Sequence, residues 1–329
     1  MKILNLFNFL ISIIKNKIRF FSVYIYYKII LKKNILIKNK NICIVCDNRN
    51  NNPTFGDFLY FPYLARYFVL KNIKIKFFFL EEDNDEWKKY LTSKEIKNFK
   101  REQFYLVNKI GKVKKENIIF TSHNNFLKNK SNKTKIIFRK QIFSNTKIFD
   151  RLLDLLNIII NIEDKKFLKK FLLNKKEFKK PKKMVKIKSY ITWHIRFNKR
   201  WGNYNNSEAE LKFIFKKLQL QFQDKKIVII SDYEGCNFAR KILKKYKKVF
   251  YCKDMTNNFF EDMILLVNSD FYFQYKAGGF LNVASFSSVP YKVITWRSPF
   301  NEPWSKEKFV SWQLKSQFRE YKIISLSKI

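Results

Sequence analysis

The chain has 329 residues, 46% of them hydrophobic and 18% aromatic, and carries a formal net charge of +41. That length suits one large domain or two ordinary ones able to bury a core, and the apolar fraction excludes a mainly disordered chain. Six glycines and six prolines exclude collagen-like and linker-like chains. Four cysteines, two of them in the run Ile42-Cys43-Ile44-Val45-Cys46, exclude a disulfide scaffold and suit a reducing compartment.

The charge is built from 57 lysines and only 11 arginines. A reader of nucleic acid is expected to favour the guanidinium fork, which matches phosphate and base edges. The lysine excess therefore reads as compositional drift and implies no specific nucleic-acid partner. It still draws the chain towards anionic surfaces.

Residues 1–33 form a segment of their own. The longest uncharged stretch, Ile3 to Ile14, is 12 residues, short of the roughly 20 that a transmembrane helix needs. Lys2, Asn5, Asn8, Ser12, Lys15, Arg19 and Ser22 recur every three or four residues and predict a narrow polar stripe on an otherwise apolar helix. Such a helix suits the interface of an anionic membrane, which places the protein in the cytoplasm or peripherally on the inner membrane face. Packing on the protein's own core is the alternative.

From Asn34 strands alternate with helices. Residues 41–46 are a buried strand, 57–71 a helix with Pro62 near its first turn, 74–80 a strand, a lysine-rich helix runs to about Lys109, and 117–122 is a third strand. Residues 165–188, with twelve lysines, one glutamate and Pro181, mark the best domain boundary. The series then resumes with strand 189–196, a helix from about Ser207, strand 226–231, a further helix, strand 249–252, helix 259–267, strand 271–275, a helix opened by Gly278-Gly279, and strand 291–296. A helical tail is expected over 304–329. The fold class is α/β with two Rossmann-like αβα domains, over 34–164 and 189–303.

Ligands of such domains sit at the carboxyl ends of the strands. In the second half those ends hold His194 and Arg196, then Asp232, then Lys276 with Gly278 and Gly279. An arginine there suits a diphosphate, and a glycine pair opening a helix lets a phosphate approach the backbone. A core role for His194 and plain turn chemistry for the glycines stay open.

Trp193-His194-Ile195-Arg196-Phe197 resembles the His-x-Arg-Arg motif that opens the nucleotide-sugar domain of fucosyltransferases with the GT-B fold. Ser231-Asp232-Tyr233-Glu234 resembles their second motif. Glu261-Asp262-Met263, Asn268-Ser269-Asp270-Phe271 and Gly278 to Ala284 resemble their third. The likeness spans roughly 189–297 and departs from the pattern at Phe197, which replaces the second arginine, and at Asn198-Lys199; Arg200 is the candidate substitute cation. In the first half, Phe55 to Pro62 is similar to the Gly-Asp-x-Leu-x-x-x-Pro start of heptosyltransferase-like enzymes, also GT-B.

These resemblances imply a two-domain enzyme that displaces a nucleoside diphosphate from a sugar onto a glycan or lipid-linked acceptor. Asp57 is then the general base, with a helix N-cap as its alternative role. Arg196 and the Gly278-Gly279 turn stabilise the leaving diphosphate, with His194 and Arg200 beside it, and Asp232 or Asp262 takes the nucleoside hydroxyls. No cluster of His/Cys ligands with metal spacing is present, and transfer is expected to be inverting and metal-independent. No cofactor is expected beyond the nucleotide-sugar co-substrate, a GDP-sugar by the fucosyltransferase likeness. A non-catalytic protein that binds polyanions or membrane surfaces is the competing class.

Overall fold

A computed structural model describes residues 42–50, 54–81, 85–89, 91–128, 135–138, 156, 163–180, 187–198, 205–276, 279–295 and 319–323. The expected membrane-surface helix at 1–33 lies outside them. Among the described residues no helix is long and apolar enough to cross a membrane.

The chain divides into two compact units between Phe171 and Leu172, a point within the lysine-rich stretch 165–188. The first unit is a four-stranded parallel sheet of β1 (Ile42–Asp47), β2 (Ile75–Leu80), β3 (Ile118–Thr121) and β4 (Lys135–Phe138), ordered β3-β2-β1-β4. β1 is buried almost throughout, as its unbroken apolar run requires of a central parallel strand. Its helices are α1 (Phe55–Phe58), α2 (Tyr60–Leu70), α3 (Asp85–Lys88), α4 (Ser93–Lys109), α5 (His123–Lys128) and α6 (Lys165–Phe171). Pro62 is the third residue of α2, within the first turn, where its missing N–H costs no helical bond. Thr92 and Glu95 close a reciprocal capping box at the start of α4.

Arg66 of α2 is fully buried with its guanidinium turned to backbone carbonyls. It donates from Nε to Phe171 O at 2.6 Å and from Nη2 to Lys170 O at 2.9 Å. Those carbonyls close α6, whose carboxyl end bears the partial negative charge that a cation satisfies.

The second unit is a six-stranded parallel sheet of β5 (Tyr190–His194), β6 (Lys226–Ile230), β7 (Val249–Tyr251), β8 (Phe271–Tyr275), β9 (Tyr291–Thr295) and β10 (Arg319–Ile323), ordered β10-β9-β8-β5-β6-β7. Its helices are α7 (Glu208–Gln221), α8 (Tyr233–Leu243), α9 (Phe259–Val267) and α10 (Phe280–Ser285). The helical tail expected over 304–329 is corrected by β10, which pairs with β9 from Arg319↔Tyr291 to Ile323↔Thr295. Tyr321 and Ile323 stand two apart, the period of a strand, and an edge position accommodates the charged Arg319, Glu320 and Lys322.

Asp270 ties the amino ends of three strands. It accepts from Ser189 Oγ and Lys225 Nζ, both at 2.7 Å, and from Lys175 Nζ at 3.3 Å. Burial pushes its carboxyl up, but these bonds win and hold it at about 2.

Candidate functional site

In chain order the second sheet runs sixth, fifth, fourth, first, second, third, the doubly wound order. The order reverses between β5 and β8, and such sheets open their ligand crevice at the carboxyl ends of the two strands at this point. β5 ends in His194, which pairs with Ile230 of β6 and Gln274 of β8. Every residue of β5 is buried, so the strand is a fixed rod delivering His194 and Arg196 to the reversal point.

His194 is 7% exposed and its ring lies 5.3 Å from that of Phe280, the first residue of α10. Burial, reinforced by the Arg196 charge, lowers its pKa to about 3, so the imidazole is neutral at physiological pH. Nδ1 is buried with no hydrogen-bond partner among the described residues. A buried polar atom in that condition is a place for a ligand or water to complete.

Arg196 leaves the strand into a segment whose backbone is held on both sides. Its N–H donates to Asn206 Oδ1 at 2.8 Å and its carbonyl accepts from the Asn206 N–H at 2.7 Å. Asn198 is gripped likewise by the Asn205 side chain, through N–H to Oδ1 at 2.9 Å and Nδ2 to O at 2.8 Å. Phe197, the departure from the fucosyltransferase pattern, stacks on Phe238 of α8 at 3.9 Å and 11°. That position is used for packing where the motif carries a cation.

Asp232 is the N-cap of α8, accepting from Gly235 N–H at 2.8 Å, and its other oxygen accepts from Asn198 Nδ2 at 3.0 Å. It is exposed at the edge beside Arg196's segment. Asp262 differs from expectation. It is buried in α9, bonded to Lys253 Nζ and to Thr256 Oγ1 at 2.5 Å. Burial raises its pKa against the pull of these partners. The buried side chain ties α9 to the turn after β7, a structural role in place of the expected donor ligand.

Gly279 is the N-cap of α10 in an ordinary right-handed conformation, φ −60°, and α10 is six residues long. So short a helix adds little dipole to the edge. Gly278 and Arg200 lie outside the described residues. Asp57 is the third residue of α1, where Thr54 holds the N-cap position, so the capping alternative for Asp57 does not hold; its side chain is not among those described.

Sequence reasoning placed Lys276 at a strand end without giving it a role, and it missed Asn205 and Asn206. Lys276 follows β8 at φ 69°, a left-handed backbone that costs a lysine roughly 1–2 kcal/mol. Its buried Nζ donates to Asn205 O at 2.6 Å and to Glu210 Oε2 at 3.0 Å. In the first unit a second cluster went unread. Arg49 binds Asp47 through Nε and Nη2 at 3.0 and 2.8 Å, and Nη2 lies 2.9 Å from His123 Nδ1. Guanidinium nitrogens only donate, so Nδ1 accepts and the proton sits on Nε2. The chain's two histidines thus each stand just at or past the carboxyl end of a strand, one in each unit.

No family model and no curated protein matches the chain. Among solved structures, the E. coli heptosyltransferase WaaC with ADP-2-deoxy-2-fluoro heptose is similar at 10% identity and a TM-score of 0.44, covering 86% of this chain and 92% of that one. A putative UDP-N-acetylglucosamine 2-epimerase from Listeria monocytogenes shows 9% identity and a TM-score of 0.41, over 85% and 83%. The UDP-GlcNAc 2-epimerase of Methanocaldococcus jannaschii in complex with UDP-GlcNAc and UDP shows 13% and 0.36, over 88% and 90%. At these scores the likeness decides nothing; strand order and the strand-end residues carry the functional reading.

Proposed function

We propose that the chain is a sugar-nucleotide-utilising enzyme of the GT-B type, a glycosyltransferase that binds its donor at the carboxyl edge of the second sheet. The observation that carries this reading is the placement of Arg196, two residues beyond β5 at the strand-order reversal, on a backbone clamped at both its polar groups. A guanidinium carried on a backbone so fixed suits the diphosphate of a nucleotide sugar. Neutral His194 beside it offers an uncharged hydrogen-bonding edge to the donor.

In the reaction an acceptor hydroxyl oxygen bonds to the anomeric carbon as the bond from that carbon to the diphosphate oxygen breaks. The diphosphate leaves with the electron pair, its growing charge met by Arg196. The hydroxyl proton passes to a carboxylate, for which Asp57 is our candidate from the Gly56-Asp57 resemblance. The fucosyltransferase-like residues favour a GDP-sugar with a fucose-like sugar and an inverting, metal-independent course. The lysine-rich amino-terminal segment would hold the protein on an anionic inner membrane face near a glycan or lipid-linked acceptor.

The test is thermal stabilisation of the purified chain by nucleoside diphosphates and nucleotide sugars, since a ligand raises apparent stability by mass action. A selective shift with GDP or a GDP-sugar supports the donor assignment, and Arg196→Ala removes the shift while leaving the unliganded melt intact. A shift that survives Arg196→Ala refutes the site. No shift with any nucleotide, against a large salt-sensitive shift with anionic vesicles, refutes the enzyme reading.

A further inference from the structure

The segment from Ile195 to Asn198 leaves the sheet yet keeps the hydrogen bonding of a strand. Ile195 N–H donates to Ile230 O at 3.1 Å and its carbonyl accepts from Ser231 Oγ at 2.8 Å. Beyond that point no further strand pairing is present among the described residues, and two consecutive asparagines supply the partners. Asn206, 4% exposed, uses its own N–H and its side-chain Oδ1 to take both polar groups of Arg196. Asn205 uses its two side-chain ends to take both polar groups of Asn198. A side-chain amide has one donor and one acceptor face, as a peptide unit has, so it can stand in for a strand neighbour.

The clamp is itself anchored. Lys276 Nζ, at the end of β8, donates to Asn205 O and to Glu210, whose carboxylate also accepts from Ser207 N–H at 2.8 Å in the capping box that starts α7. On the other side Asn198 Nδ2 reaches Asp232, the cap of α8. One continuous chain of hydrogen bonds therefore joins the carboxyl ends of β8, β5 and β6 around Arg196. Lys276 accepts a left-handed backbone to take part in it, and a local rule broken at a sheet edge points to a demand from the site.

We infer that Asn206, with Asn205 and Lys276 behind it, is a positioning residue that fixes Arg196 for a diphosphate ligand. This rests on the donor-site reading above. The clamp does not touch the ligand; it removes the backbone freedom that Arg196 would otherwise lose on binding.

A double-mutant cycle tests it. GDP, ADP and UDP are titrated calorimetrically into the full chain, Arg196→Ala, Asn206→Ala and the double variant, well below each melting temperature. For the diphosphate that the wild type binds, Arg196→Ala weakens affinity by about 10- to 100-fold, the worth of charge-assisted hydrogen bonds. Asn206→Ala weakens it by about 10-fold, and the double variant binds no worse than Arg196→Ala alone, because a residue acting through another adds nothing once that other is gone. Additive losses, or an Asn206→Ala variant that binds like the wild type while Arg196→Ala does not, overturn the inference and leave the donor site standing. Binding unaffected by Arg196→Ala, or absent from the wild type for all three nucleotides, overturns the donor site and the inference together. Should Asn206→Ala not fold, the same cycle with Asn205→Ala releases the Asn198 end of the clamp and is read by the same criteria.

Discussion

Lowering the pH from 7.5 to 4.5 should cost the chain about 3 kcal/mol of stability through His194 alone. In the folded protein burial, aided by Arg196, holds this imidazole at about 3, against an ordinary value of 6.5. Between those values the unfolded chain binds a proton that the folded chain refuses. The contribution of the neutral buried ring is thus fully present above 6.5 and is lost as pH falls towards 3. The slope is about 1.4 kcal/mol per pH unit for one proton, so roughly two units below 6.5 give the figure stated.

Urea unfolding of wild type and His194→Gln across that range measures it, because the glutamine variant lacks the titration and its curve should fall less steeply by that amount. A direct reading is also available. The chain has only two histidines, so the imidazole proton resonances are few enough to follow one by one, and His194 should stay unshifted down to about pH 4. Parallel stability curves for the two proteins, or an imidazole at position 194 titrating near 6.5 in the folded state, would refute the reasoning.

A methyl group at Gly235 would lie 1.9 Å from Ser231 Oγ and 2.8 Å from Ser231 Cβ; Gly235→Ala should therefore destabilise by about 2–4 kcal/mol in denaturant melts, through overpacking and a displaced Asp232 cap. Ser231→Ala in the same chain should recover part of that loss. Asp262→Ala leaves the partly buried Lys253 without its carboxylate and should cost about 3 kcal/mol, the low end for a buried pair that loses one partner, with nucleotide affinity unchanged in whatever fraction stays folded. Asp270→Asn should lower stability at neutral pH and flatten the acid limb between about pH 4 and pH 2, because a carboxyl held at about 2 contributes above its ordinary 3.8 and loses that contribution as pH falls. Its nucleotide binding should match the wild type, since Asp270 lies at the amino ends of the strands.

The alternation of strand and helix was legible in the sequence wherever a strand was buried on both faces, as in the apolar runs of Ile42–Asp47 and Lys226–Ile230, because such a run has few other homes. β10 was not legible. It is a five-residue edge strand whose charged residues read as a helical surface until its partner β9 is known. Of the candidate site, His194, Arg196 and Asp232 were readable because each ends a strand or stands two residues past one. The clamp was not, since Asn205 and Asn206 act from across a loop and an asparagine pair reads as an ordinary turn. Asp262 misled for the opposite reason: its neighbours in sequence resemble a motif, but its partner, Lys253, comes from the turn that follows another strand.

The Asp270 tie has a practical side. Strands of five residues span about 16 Å, so a dye or surface tether placed near Ser189, Lys225 or Lys175 stands a full strand length from the edge that holds His194 and Arg196. A reporter attached there registers unfolding of the second sheet while the opposite rim stays clear for titration. Immobilised from that end, the protein could be screened against nucleotide sugars with the proposed donor edge facing the flow.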